Sequence, residues 1–225
     1  MATSGTAAFN LDLVEVIEEA GERCGYEVRT GYDFKTARRS LNLLFADWAN
    51  RGLNMWTFEQ GSIPLVAGVA DYPLPEDTVD IMEAVIRTGS GSNQTDITVS
   101  RISLPDYAAI PNKTTTGRPL QMRVARGATQ PVLTLWPVPD TSTPYTLVYW
   151  RLRRIQDAGD GLNTQDLPFR FLNPMIAGLA YYMALKLPGA MDRLPILKAQ
   201  YDEFMQLAMD EDREKADLRI VPRVC

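Results

Sequence analysis

Residues 167–188 read LPFRFLNPMIAGLAYYMALKLP, and a helix over this stretch has no side suited to water. Leu172, Ile176, Leu179 and Met183 recur at steps of three and four on one face. Ala177, Gly178, Ala180 and Ala184 occupy its other faces. Such small groups let neighbouring helices approach closely, so this helix is expected at the centre of a bundle. Pro168 is tolerated in a first turn, Pro174 marks a kink or the true start, and Pro188 with Gly189 ends the helix. The apolar run from Pro174 to Leu187 is interrupted by Lys186 and is too short for the roughly 30 Å hydrocarbon layer of a bilayer. No membrane span is expected.

A central helix needs neighbours, and the sequence offers them at both ends. Downstream, Asp192 to Lys215 places Leu194, Leu197, Tyr201, Phe204 and Ala208 at helical spacing. Far upstream, Asn10 is a candidate cap for a helix over Leu11 to Cys24, with Asp12 near its positive end and Gly25 as its stop. A second helix, Asp33 to Arg51, presents Phe34, Ala37, Leu41, Leu44 and Trp48 before Gly52. Neither pair of helices can cover its own apolar stripes, so the two ends must meet. The predicted class is α+β: a discontinuous four-helix bundle from residues 9–57 and 167–216 with an inserted antiparallel β domain. The insert is 58–155, followed by a linker over 156–166 and a C-terminal tail over 217–225.

In the insert, helical spacing gives way to short β-branched and aromatic runs punctuated by proline and glycine. The predicted strands are Ser62–Val66, Asp80–Thr88, Ile97–Ile102, Leu120–Arg126, Val132–Trp136 and Tyr145–Leu152. The last two read as a hairpin with apolar groups on both faces, as in strands sandwiched inside a fold. Ser103 caps a short helix ending near Ile110. Gly89–Asp96 and Pro111–Pro119 read as loops.

Composition narrows the chemistry. The net charge of −5 argues against a protein whose main task is gripping phosphates. The 225 residues contain no histidine, which removes the commonest general base and metal ligand. Carboxylate or lysine chemistry survives that loss. Cys24 and Cys225 stand alone, so no metal or redox motif is read, and no cofactor is expected. The first ten residues lack the features of a secretory signal, so cytoplasmic synthesis is expected.

No catalytic site is read. Glu18 with Glu19, Glu76 with Asp77, and Asp210 to Asp212 are neighbours along the chain and do not converge. Gly89 to Gly91 lacks the lysine and strand-to-helix setting of a phosphate cradle. Arg151, Arg153 and Arg154 beside Trp150 are a candidate interface or nucleic-acid contact. The alternative is ordinary salt bridging, with alternation splitting the strand into a wet arginine face and a buried Trp150 and Leu152 face. Trp48, Trp56, Trp136 and Trp150 read as core or interface anchors. The tail carries Arg219, Ile220, Val221, Pro222 and Arg223, candidates for contact with a partner or a neighbouring subunit.

Three quoted motifs, in order, resemble one family. They are LNLLFADWANRGLNMW at 41–56 with IPLVAGVADYPLPEDTVDI at 63–81, LTLWPVPDTSTPYTLVYWRLRRI at 133–155, and the 167–188 helix. Together they resemble the head-to-tail adaptor proteins of short-tailed bacteriophages, over Leu41 to Pro188. The resemblance implies a non-catalytic ring, typically of twelve subunits, fixed beneath the portal protein at the head–tail junction of the virion. It also implies contact with tail nozzle, tube or fibre proteins and transient passage of double-stranded DNA. The tail after Lys215 is shorter than the long extensions of some members. A tail-tube or nozzle component is the related alternative, and a β-sandwich carbohydrate or cell-surface module, suggested by Trp136 and Trp150, is the unrelated one.

Overall fold

The computed structural model describes residues 4–7, 9, 11–51 and 55–212. They form an α+β protein with five α-helices: α1 (Leu13–Cys24), α2 (Gly31–Asn50), α3 (Leu104–Ala109), α4 (Leu172–Ala184) and α5 (Leu194–Glu211). The described residues up to Trp56 and those from Ile155 onward make one compact unit, and Thr57–Arg154 make a second.

In the first unit α4 packs against α1, α2 and α5. Nine of its residues are buried, among them Met175, Ile176, Leu179 and Met183. Gly178 explains how closely the helices approach. A Cβ there would sit 2.9 Å from Leu44 of α2 and 2.9 Å from Tyr201 of α5, nearer than ordinary van der Waals contact. Pro174 is the third residue of α4 and so marks its first turn, where no N–H is needed. Pro168 lies before a separate 3₁₀ turn, Phe169–Phe171.

The helix starts differ from the sequence reading for a local reason. α1 begins at Leu13, two residues later than expected, because Asp12 and Glu15 form a reciprocal capping box. Asp12 Oδ1 accepts from the Glu15 N–H at 2.8 Å, and Glu15 Oε2 accepts from the Asp12 N–H at 2.9 Å. Asn10 lies outside the described residues. Thr30 and Asp33 make the same box and start α2 at Gly31. Segment 156–166, expected as a linker, is packed onto the helices. Ala158 is fully buried, its N–H donates to Asn42 Oδ1 at 2.8 Å, and Leu13 N–H donates to Gly161 O at 3.1 Å.

The second unit contains eight strands: β1 (Phe58–Pro64), β2 (Asp71–Pro73), β3 (Thr78–Thr88), β4 (Thr95–Thr98), β5 (Ser100–Arg101), β6 (Gln121–Ala125), β7 (Val132–Trp136) and β8 (Thr146–Arg153). They form two four-stranded sheets, ordered β1-β8-β3-β4 and β2-β7-β6-β5. One buried cluster draws on both sheets, with Ile86, Leu147 and Tyr149 from the first and Met122, Leu133 and Leu135 from the second.

Two expectations are corrected here. The expected hairpin of 132–136 with 145–152 does not exist, because β7 and β8 belong to different sheets. Pro137 and Pro139 have no N–H for a ladder. The chain between them turns instead to the 115–117 loop, where Val138 N–H donates to Thr115 O and Gly117 N–H donates to Val138 O, both at 2.9 Å. The second sheet is also mixed rather than antiparallel, since β5 pairs with β6 in parallel. The long connection through α3 permits this, as parallel neighbours require a crossover. The expected strand 97–102 changes sheet at Val99, whose side chain is buried and whose N–H donates to Ala84 O.

Candidate assembly surfaces

The three arginines at the end of β8 are turned onto their own unit. Arg151 bonds Asp77, Glu59 Oε2 at 2.8 Å and Thr78 Oγ1 at 2.8 Å. Arg153 Nε donates to Glu59 Oε1 at 2.7 Å. The Arg154 guanidinium bonds Glu76 O, and its backbone N–H donates to Asp77 O at 2.7 Å. The expected wet arginine face is therefore corrected: the Arg151 and Arg153 side chains are 11% and 12% exposed. Glu59 and Asp77 supply the countercharge that makes such burial tolerable. Burial opposes the Arg151 charge, but the bonds to Asp77 and Glu59 outweigh it and raise its pKa. Hydrogen bonding to Arg151 holds the Asp77 carboxyl below its ordinary range.

A second ionic knot lies at Asp80, which Arg101 of β5 meets at 2.9 Å and Arg126 also contacts. Burial pushes the Asp80 pKa up, yet the two arginines and the Ile81 N–H win and lower it. Arg87 and Asp96 pair across β3 and β4 at 2.8 Å. Residues 57–154 carry nine acidic and nine basic side chains, so the chain's net charge of −5 belongs to the rest of the sequence.

The helical unit distributes its charge differently. On α1, Glu18 and Glu22 are exposed, and both line two shallow grooves of about 510 and 420 Å³. Glu19 pairs with Arg23, while Glu18 and Glu22 have no ion partner among the described residues. On α2 the outward stripe is Tyr32, Lys35, Arg39, Leu43 and Ala46, at steps of three and four. Tyr32 is 76% and Leu43 55% exposed, large apolar groups on a face otherwise made for water. Lys35 and Arg39 also lack ion partners among the described residues. Lys186, just after α4, donates to Ser40 Oγ at 2.6 Å. Burial, and then the nearby Arg39 charge, lower its pKa. A pocket of about 210 Å³ opens between Tyr26, Tyr32, Asp33, Met183, Lys186 and Leu187. The sequence reading missed this stripe, although Tyr32 and Leu43 on the polar side of α2 were its signal.

The remaining candidates fall as follows. Asp212, expected on a solvated end, has its side chain 3% exposed and paired with Arg170, pinning the end of α5 to the turn before α4. Trp48 and Trp56 belong to the helical core, and the Trp136 Nε1–H donates to Asn112 O at 3.1 Å. Cys24 is buried, which raises its thiol pKa. Among the described residues no group of three or more His, Cys, Asp and Glu is placed to hold a metal ion, and no helix is long and apolar enough to cross a membrane. Arg219, Ile220, Val221, Pro222, Arg223 and Cys225 lie outside the described residues.

No curated protein matches the chain. The family model described as SU10 adaptor protein matches residues 11–223, nearly the full length of the sequence. The chain therefore belongs to the SU10 adaptor protein family, and is a phage head–tail adaptor protein.

Proposed function

We propose that this chain is a non-catalytic structural subunit of a ring of twelve copies joining the portal protein to the tail of a short-tailed phage. The ring sits at the head–tail junction, is assembled in the host cytoplasm, and serves as a conduit for DNA at ejection. The observation that carries this reading is the family match along nearly the whole chain. The charge distribution supports it: the β unit carries equal numbers of acidic and basic side chains, with Arg151 and Arg153 paired to its own carboxylates, and the acidic remainder repels phosphates rather than gripping them. In this reading the helices from both ends act as one discontinuous four-helix bundle, and the inserted β domain faces neighbours and tail proteins. Arg151, Arg153 and Arg154 hold the β unit together rather than contacting DNA. Arg219, Ile220, Val221, Pro222 and Arg223 reach the portal or a neighbouring subunit. Ring closure uses a heterologous interface, in which two different faces of each subunit meet.

Mass photometry of the full chain, alone and mixed with the phage's portal protein, tests the proposal. A closed oligomer bound to the portal is the expected result. A chain that remains monomeric in both samples overturns it.

A further inference from the structure

We propose that the outward face of α2 docks α1 of a second copy of this chain, with Lys35 and Arg39 meeting Glu18 and Glu22 and with Tyr32 and Leu43 as the apolar anchors. This rests on the adaptor-ring reading and assigns the faces that close the ring.

In the β unit, cations and carboxylates are interleaved and pair within the unit: Arg87 with Asp96, Arg101 with Asp80, Arg151 with Asp77. In the helical unit ions also pair, Arg23 with Glu19 and Arg51 with Asp47, but one pair of carboxylates and one pair of cations are left over. Glu18 and Glu22 stand on α1, one turn apart, while Lys35 and Arg39 stand on α2, also one turn apart. None of the four has an ion partner among the described residues. Like charges at such spacing repel, so neither pair stabilises its own helix. Each helix is already held by its buried side, Val16, Ile17 and Ala20 on α1 and Ala37, Leu41 and Leu44 on α2. The charged stripes are thus not needed for the fold.

The two stripes complement each other in sign and repeat. Two residues four apart on one helix face two residues four apart on another, so antiparallel or parallel apposition brings both pairs together. The α2 face adds what charge alone lacks, since Tyr32 and Leu43 flank the cations and remain 76% and 55% exposed. Apolar and aromatic anchors within a charged rim are the make-up of a protein–protein contact. The α1 side is concave, with Glu18 and Glu22 lining grooves on which such anchors can seat. Because the faces differ, one copy offers α1 to one neighbour and α2 to another, which is how a ring propagates.

Charge reversal tests this on the full chain, with and without the portal protein. E18K/E22K alone, or K35E/R39E alone, is expected to raise the concentration needed for assembly at least about tenfold, through like-charge apposition. Far-ultraviolet circular dichroism should stay unchanged, as all four side chains are exposed. Combining the reversals in one chain, E18K/E22K/K35E/R39E, is expected to restore assembly. Mixing the two single-face variants should restore it too, giving rings in which they alternate. An oligomer whose mass is insensitive to both reversals overturns the face assignment alone, as does failure of the combined variant to rescue. A wild-type chain that stops at a dimer or stays monomeric under both conditions overturns the ring as well.

Discussion

The Trp48 indole is fully buried, and its Nε1–H donates to the Tyr201 hydroxyl at 2.9 Å, linking residues 153 apart in sequence. Burial raises the Tyr201 pKa, so the hydroxyl stays protonated near neutral pH. Tyr201→Phe keeps the ring, and with it the Arg51 guanidinium 5.8 Å from the ring centroid, but leaves the indole N–H buried without an acceptor. The expected loss is about 1–3 kcal/mol. Trp48→Phe strands the Tyr201 hydroxyl and opens space beside Phe45 and Phe171, whose rings lie 6.0 and 5.7 Å away, so it should cost more. In the double variant both polar groups are gone, and the combined loss should fall short of the sum by about 1 kcal/mol or more. Urea denaturation followed at 222 nm reports on the helices and avoids dependence on tryptophan fluorescence. Coupling within about 0.3–0.5 kcal/mol of zero, as for independent sites, would refute the claim that α2 and α5 share one core.

Four other substitutions probe the remaining contacts. Gly178→Val should destabilise the helical unit by at least about 1 kcal/mol, because the added carbons enter space held by Leu44 and Tyr201; a thermal midpoint at or above the wild type would contradict this. Arg151→Ala should lower the stability of the β unit by more than Arg87→Ala, since the Arg151 side chain is 11% exposed and bonds Asp77, Glu59 and Thr78, whereas the Arg87 side chain is 30% exposed and pairs with Asp96; chemical denaturation of both variants compares them. The Asp80 pKa is lowered in the folded state, so the unfolded chain takes up the proton first as pH falls. The stability contributed by Asp80 is therefore fully present above the unfolded value of about 3.9 and is lost as pH falls toward the folded one; Asp80→Asn should flatten that part of the stability-versus-pH curve.

The helices were legible because burial along them repeats at steps of three and four, from Leu13 and Ile17 on α1 to Leu197 and Tyr201 on α5. Their starts were less so, since Asn10 and Asp12 are both good caps and only the reciprocal bond with Glu15 decides between them. The small residues of α4 told of close neighbours, and Gly178 carries that role. The sheets were harder. Alternation in 132–136 and 145–152 reveals strands but not their partners, so two strands of different sheets read as one hairpin. β2 went unread because Asp71, Tyr72 and Pro73 look like a turn, although Tyr72 is buried and Leu133 is its partner. The arginines of β8 were visible as a cluster. Their neutralisation by Glu59 and Asp77 was not, because it depends on how β1 and β3 flank β8.

A cryo-electron microscopy map of the phage head–tail junction tests the functional reading most directly. The expected result is a closed ring of this chain between portal and tail, with α1 of each copy against α2 of the next. Density for the chain elsewhere in the particle, or copies at the junction that do not touch one another, would contradict it.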